Sequence, residues 1–537
     1  KFFVVQGLTN DQIINDPSKD HEFDTIDLLK ASLIVFPVSK VLGNKGYHVK
    51  EDGGQGRRIV KTAAQATIDG DFIDGFFNVT LADGKVAILQ LGMFVWAIQG
   101  GINKDQVDNL AALNAGHDLA EKKGILFYLP SSRIDESSAG YLEISAPWQV
   151  RQRVEIKGMG EDTRIRKNNN VLGVGSNLRP ERTGSDSYAV DAVMILEHDD
   201  NSFSFEVPWS SFRLYGSNCE IGAFIPRIAK GDFNNILVNN CKYGYKCFTS
   251  FLTKFTRCEA IDTSEFMLSG FKWADDGTGL GTGTSTQFSN CYVFGAESSP
   301  YDLFGLTYSG MDTCAADAFG DGISNVYAYR INICTAFTMV SCGCETSAKG
   351  GYADIIGSTI TINSPKSFNL QADETANIKT TASSNVVINT PLFSNWVSVT
   401  GNAYDVLSQS TGDDITVNSG RFSANSTQRF SGAVKYNTAS QDLVSGNIGD
   451  TSITLVAGID EGMQRYASTL TANRVVTLTA GAWQGAEFTI VRYGGAAAGA
   501  FTLDVGGLYT IPASVKGTVV VKYDATGWKF KSFSEAP

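Results

Sequence analysis

The stretch Gly124-Ile125-Leu126-Phe127-Tyr128-Leu129-Pro130 separates two textures of sequence. Before it, Val107, Leu110, Leu113, His117 and Ala120 recur at three- and four-residue intervals with charges between them. That spacing predicts an amphipathic helix of about four turns. Gly124 stands where such a helix ends, since glycine takes the left-handed C-cap conformation without strain. The apolar run after it reads as a buried strand, and beyond Pro130 every later element reads as strand. Upstream, the first ninety residues read as strands and tight turns, followed by Val86-Ala87-Ile88-Leu89-Gln90 and Phe94-Val95-Trp96-Ala97-Ile98.

Downstream, short apolar runs recur without helical period from about Val150 to Ser423, among them Val193-Met194-Ile195-Leu196, Tyr292-Val293-Phe294 and Ile415-Thr416-Val417. The cysteines give a repeat length. Cys219, Cys241, Cys258, Cys291, Cys314 and Cys342 are separated by 22, 17, 33, 23 and 28 residues, the range of solenoid coils that each supply a few short strands. A column of inward, stacked thiols is the expectation. After about Gln428, alternating runs such as Glu487-Phe488-Thr489-Ile490-Val491-Arg492 and Thr518-Val519-Val520-Val521-Lys522-Tyr523, with Gly-rich turns between, predict a separate antiparallel β domain.

Composition narrows the function. The 537 residues carry a formal net charge of −12, so the positive footprint that attracts nucleic acid or anionic membrane is missing. No run is long and apolar enough for a membrane helix, and no secretion signal is evident. All nine cysteines lie between Cys219 and Cys344; an odd count in one stretch argues against a disulfide framework. Cys-X-X-Cys is absent and the four histidines lie outside the cysteine stretch, so neither a zinc site nor histidine chemistry is expected. No metal or cofactor is predicted.

Ile98-Gln99-Gly100-Gly101, Asp108-Asn109-Leu110-Ala111-Ala112-Leu113 and Gly124 to Pro130 together resemble the opening of pectate-lyase-like parallel β-helix proteins, in which a short helix plugs the mouth of the solenoid. Tyr47 to Val60, with Asp52-Gly53-Gly54, resembles the small domain before that helix in bacteriophage tailspikes. Tyr308 to Asp317 and Cys342-Gly343-Cys344-Glu345 are similar to tailspike coils, and Leu470 to Trp528 looks like a terminal tailspike β domain. The chain departs from the commoner opening by carrying Ala97-Ile98-Gln99-Gly100 where Phe-Gly-Ala-Lys is usual, and an evident virion-binding head is lacking.

The resemblance implies an all-β chain built on a right-handed parallel β-helix: a neck domain over 1–95, a capping segment over 96–150, the β-helix over 151–428 and a C-terminal β domain over 429–537 for trimerisation or carbohydrate contact. It implies a homotrimer, joined to a phage tail or baseplate through a part preceding Lys1, located in the virion tail and acting on a bacterial surface polysaccharide such as capsule, O-antigen or exopolysaccharide.

Hydrolysis of a glycosidic bond needs two carboxyl groups, one protonated and one ionised. If Cys314 and Cys342 occupy equivalent inward positions, Asp317 and Glu345, each three residues later, share an outward position on successive coils, roughly 5 to 7 Å apart. Like charges that close favour one shared proton, which makes an acid and a base of two similar groups. Asp312 and Glu297 are the next candidates; Asp262, Asp275 and Asp276 are weaker. Tyr308, Tyr301, Trp273 and Arg330 lie near the acids in coil order and are candidate sugar contacts. Two other readings stay open. A lyase would use Arg330, Lys349 or Arg257 with Tyr308 on a uronic acid, and a non-catalytic adhesin would hold the glycan uncut.

Overall fold

The computed structural model describes residues 21–535 apart from 51, 72, 133–139, 152, 168–189, 197–203, 263–266, 275–282, 323, 348–349, 369, 373–375, 394–397, 400–403, 421–427, 438–443, 458–459, 461, 481, 483–484, 494–499 and 525. The chain is nearly all β and forms a parallel β-solenoid with smaller sheets toward either terminus. It divides into two compact units, 1–247 with 251–261, and 248–250 with 262–537.

In the first unit a five-stranded sheet includes Gly56–Lys61 and Val86–Leu89, paired antiparallel through Ile59 and Ile88. Two short helices, Ile26–Ala31 and Ala63–Ile68, lie among these strands. The sequence signals there, strands and turns, do not announce them; each is a six-residue turn capped by a threonine hydroxyl that accepts the N–H of Leu28 or Gln65, too short for periodicity to register.

The predicted helix is present as Leu110–Lys123 and ends at Gly124 with φ 63°. Val107 lies before it, exposed, and is not part of its buried face. That face carries Leu113, Gly116, His117 and Leu119. Gly116 is required by packing, because a Cβ there would lie 2.5 Å from the Phe127 ring and 2.8 Å from that of Phe77. The strand Leu126–Tyr128 then pairs in parallel with Phe94–Trp96 and with Ile156–Lys157.

Coils of the second unit present three outward faces. The chain passes from Val326–Asn332 on one face to Phe337–Val340 on the next and Gly343–Ser347 on the third, and begins the following coil at Gly350–Ile356. Each strand pairs in parallel with its counterpart one coil on. Met311 pairs with Met339, 28 residues on, and Asn385 with Asp414, 29 on; in the first unit Phe233 pairs with Phe255, 22 on. The corner before each third-face strand is a single left-handed residue: Asn290, Thr313, Ser341, Ser364 and Thr390 have φ between 47° and 53°. Such non-glycine strain persists where the surroundings fix it. Here each corner N–H donates to a carbonyl of the next coil, as from Thr313 to Val340 O at 2.9 Å.

Three thiols of the second unit follow such a corner residue directly: Cys291, Cys314 and Cys342. All nine cysteines are buried and reduced. Cys314 Sγ approaches the carbonyls of Phe288 and Asp312 at 3.5 and 3.6 Å. The predicted thiol column therefore holds for these three but does not extend to Cys241. The register that pairs Asn234 with Thr256 and Leu237 with Glu259 puts Ile236 opposite Cys258. Cys241 follows a different left-handed corner, Asn240. Two kinds of corner with one local sequence habit were merged in the spacing count.

Inside the second unit aromatic rings stack coil upon coil. Phe271 and Tyr301 lie 5.2 Å apart at 5°, Tyr301 and Tyr329 5.1 Å apart at 18°, and Tyr329 meets Tyr352 at 5.0 Å. On the second face Asn363, Asn389 and Asn418 form a ladder of side-chain amides, each bond 2.7 Å long.

The C-terminal region departs from a wholly antiparallel domain. Its two sheets are mixed: Met463–Tyr466 pairs in parallel with Glu487–Arg492, and Ile453–Leu455 with Arg474–Leu478, while Glu487–Arg492 pairs antiparallel with Gly517–Asp524. Tyr466, Phe488, Ile490, Val505 and Val519 close the core between them. Alternation marks a half-buried strand but carries no direction, so the parallel pairs were not legible. No helix among the described residues is long and apolar enough to cross a membrane.

Candidate functional site

The third face carries the carboxylate pair. Tyr292–Phe294, Ala315–Phe319, Gly343–Ser347 and Lys366–Phe368 are four successive rungs in parallel register. Their middle residues Val293, Ala316, Cys344 and Ser367 are buried and face the core. On either side of that inward column, the alternation of a strand turns two columns outward. One reads Phe294, Asp317, Glu345, Phe368; the other reads Tyr292, Ala315, Gly343, Lys366. Asp317 is thus directly opposite Glu345, the acids standing on adjacent rungs about 4.8 Å apart along the stack. Glu345 is exposed and Asp317 half-buried. Asp317 Oδ1 accepts the N–H of Ala318 at 2.7 Å, which ties it to the bend where Ala318 has φ 49°.

On the Glu345 rung the Cys344 thiol points inward. Burial, then the adjoining Asp317 and Glu345 carboxylates, push it well above the usual thiol range, so it is a neutral packing group. From below, buried tyrosines hold the same rungs. The Tyr301 hydroxyl donates to Ala315 O at 3.1 Å, and that of Tyr329 lies 2.6 Å from Gly343 O and 2.9 Å from Cys314 O.

The other sequence candidates are spread over the molecule. Asp312 is exposed but on the second face, in register with Ser289 and Val340, and its Oδ1 accepts from the Thr313 hydroxyl at 2.9 Å. Glu297 is half-buried in the turn after the rung Tyr292–Phe294. Asp262 is buried, its carboxylate accepting the Met267 N–H at 2.6 Å; Asp275 and Asp276 lie outside the described residues.

Two of the aromatic candidates are core residues rather than sugar contacts. Tyr301 belongs to the internal stack, and Trp273, 1% exposed, donates its indole N–H to Ser250 Oγ at 3.0 Å. Both neighbour the acids in coil order, which left sugar contact and burial in the stack open, and the aromatic body fills the coil interior. Tyr308 is 69% exposed at a left-handed corner, φ 48°, between Leu306–Thr307 and Gly310–Asp312.

Arg330 stands in a second column of charge, on the face of Val326–Asn332. Lys272, Asp302, Arg330, Asp354 and Lys379 follow one another in register with alternating sign. Asp302 pairs with Lys272 and lies 3.7 Å from the Arg330 guanidinium, while Lys379 lies 3.8 Å from Asp354. Of the lyase set, Lys349 lies outside the described residues, and Arg257 belongs to the first unit whereas Tyr308 and Arg330 belong to the second.

Among the described residues, His117, Asp118 and Glu121 bring ligand atoms within 4.8 Å of one another. The Arg151 N–H donates to His117 Nε2 at 3.1 Å, so the neutral ring carries its proton on Nδ1, toward Asp118 at 3.9 Å. The Arg151 guanidinium holds Glu121 at 2.9 Å. A ring donor and a cation fill the places a metal ion would take, so these residues do not fit one.

No family model matches the chain, and no curated protein matches it in sequence. Solved structures do. The gp42 tailspike of Acinetobacter phage vb_AbaP_AS12 aligns over 97% of this chain and 94% of its own, with a TM-score of 0.59 at 15% identity. The enzymatically active domain of tailspike protein 2 from bacteriophage CBA120 aligns over 96% of this chain and 80% of its own, with a TM-score of 0.55 at 11% identity. The chain has the fold of phage tailspikes. At such identities the likeness is one of architecture, and chemistry has to be argued from this chain's own site. Of the groups flanking the acids, sequence reasoning missed Phe294 and Phe368. The signal was available: each stands at the rung position of the acids, three residues beyond Cys291 and Pro365, the residues that follow corners Asn290 and Ser364.

Proposed function

We propose that this chain is the polysaccharide-cutting spike of a phage tail, hydrolysing a bacterial surface glycan with Asp317 and Glu345 as its acid and base. The observation that carries the reading is the rung register that sets these two carboxyl groups side by side on an outward face. Adjacent rungs bring the two groups into the range of glycosidase carboxyl pairs, where one carboxyl protonates the leaving oxygen and the other attacks the sugar or activates water. Hydrolysis is favoured over elimination by the place of Arg330: its guanidinium faces Asp302 on a different face of the coil, away from any uronate bound at the acid pair. The fold shared with a tailspike fragment described as enzymatically active agrees with a cutting role. Assembly as a homotrimer on a virion tail belongs to the same reading, and sedimentation of the purified chain at three protomer masses is its expected signature.

The test is size-exclusion analysis of capsule and lipopolysaccharide glycans from a bacterial panel, incubated with the unsubstituted protein, Asp317→Asn and Glu345→Gln. Shortening by the unsubstituted protein alone, without an unsaturated product absorbing in the near ultraviolet, is the expected result. Shortening by all three relocates the site, an absorbing product makes the enzyme a lyase, and no shortening of any polymer makes it an adhesin.

A further inference from the structure

The column beside the acids is shaped for a ligand. On the two end rungs it carries Tyr292 and Lys366; on the two central rungs it carries Ala315 and Gly343. Side-chain bulk therefore falls away beside Asp317 and Glu345 and rises again one rung beyond each. Gly343 is not demanded by the backbone. A Cβ there would meet nothing closer than Lys366 O at 3.7 Å and Lys366 Cβ at 3.9 Å, ordinary contacts, and its φ is not left-handed. Glycine gives up side-chain packing and backbone entropy, and Gly343 does so at the first position of its strand, beside the acids. Here the missing side chain leaves open space on the outer surface.

We propose that Ala315 and Gly343 floor a cleavage notch, one sugar ring deep, in a glycan laid along the coil axis, with Phe294 and Phe368 receiving the apolar faces of the rings on either side of the cut. This deepens the depolymerase reading and rests on it. Phe294 and Phe368 are three rungs apart, about 14 Å, which leaves the two central rungs for the ring whose bond breaks. Those central rungs present two carboxyl groups and no cation, while the one cation of the four rungs, Lys366, stands at an end. The ring at the cut is thus a neutral sugar, and an acidic substituent is accommodated only toward Lys366. Tyr301 and Tyr329 act as positioning residues, their hydroxyls fixing the carbonyls of Ala315 and Gly343 from inside.

Filling the notch tests this. Gly343→Leu is expected to lower kcat/KM by at least about a hundredfold, the scale of a misplaced substrate, on the polymer that the unsubstituted protein shortens, with an unchanged melting transition. Gly343→Ala, whose single methyl has room, gives a smaller loss in a protein that folds as before. Phe294→Ala and Phe368→Ala raise KM about tenfold, from lost ring contact, with kcat nearly constant. Notch and acid pair fail separately. If Asp317→Asn and Glu345→Gln abolish cutting while both Gly343 variants cut within twofold of the unsubstituted protein, the notch is overturned and the pair stands. If Gly343→Leu abolishes cutting but the acid variants cut normally, the notch stands and the pair falls. Normal cutting by all of them overturns both.

Discussion

Two faces of the same unit carry charged columns in register, and they are built on opposite rules. The column Lys272, Asp302, Arg330, Asp354, Lys379 alternates in sign, so every charge has an opposite one on the next rung. In the column Phe294, Asp317, Glu345, Phe368, two like charges are adjacent and the rungs above and below them are aromatic. Stability alone does not favour that arrangement, because like charges on adjacent strands repel. A coil spends alternating charge on holding its rungs together and like charge on something outside itself. The contrast predicts that substitutions in the two columns sort cleanly, the acids changing catalysis and the ladder changing stability.

The largest expected effect is on the acid face. Asp317→Asn and Glu345→Gln lower the cutting rate roughly 10²- to 10⁴-fold, the span that general acid–base groups contribute, while the melting temperature holds steady or rises as one of two repelling charges is lost. A parallel loss of stability breaks the contrast. Next comes the ladder: Asp302→Ala leaves Lys272 and the solvent-exposed Arg330 as like charges about two rungs apart on an outward face. It costs about 1 kcal/mol in denaturant unfolding, since solvent screens the two cations left behind, and leaves the cutting rate of the folded fraction unaltered. Comparable in size is Tyr329→Phe, which removes the hydroxyl beneath Gly343. It costs about 1 kcal/mol and sharpens the contrast if kcat falls by more than unfolding explains, since then the core supports the acid face specifically.

What was legible in the sequence follows the same division. Thr313-Cys314 and Ser341-Cys342 mark one recurring corner, and counting three residues on from each cysteine finds the acid pair. The count succeeds because corner and strand are a rigid local unit that a short motif encodes. It fails for Cys241, which follows a different corner that looks alike in sequence, and for Tyr301 and Trp273, whose facing depends on how many residues the preceding turn consumes. The charge ladder was illegible for a further reason. Asp302, Arg330 and Asp354 are related only by register across coils of unequal length, and a variable coil length hides a column that a fixed repeat would expose. The helix Leu110–Lys123 was plain because its period is local, whereas the mixed direction of the C-terminal strands was not, since alternation of side chains is the same in either direction.

The smallest effect distinguishes the columns by pH. Burial raises the Asp354 carboxyl above its ordinary range; Lys379 and Arg330 oppose the rise and Asp302 adds to it. A carboxyl whose folded pKa is raised contributes stability that is fully present below the unfolded pKa and is lost as pH climbs through the folded value. The unsubstituted protein is therefore expected to lose stability against Asp354→Asn as pH rises from the usual carboxylate range through that raised value, the difference in melting temperature widening in favour of the asparagine. Cutting by Asp354→Asn keeps the pH profile of the unsubstituted protein, because the ladder is not part of the reacting site. If the substitution instead shifts the rate profile and leaves the melting curves parallel, the alternating column takes part in the chemistry and the division between the two faces is wrong.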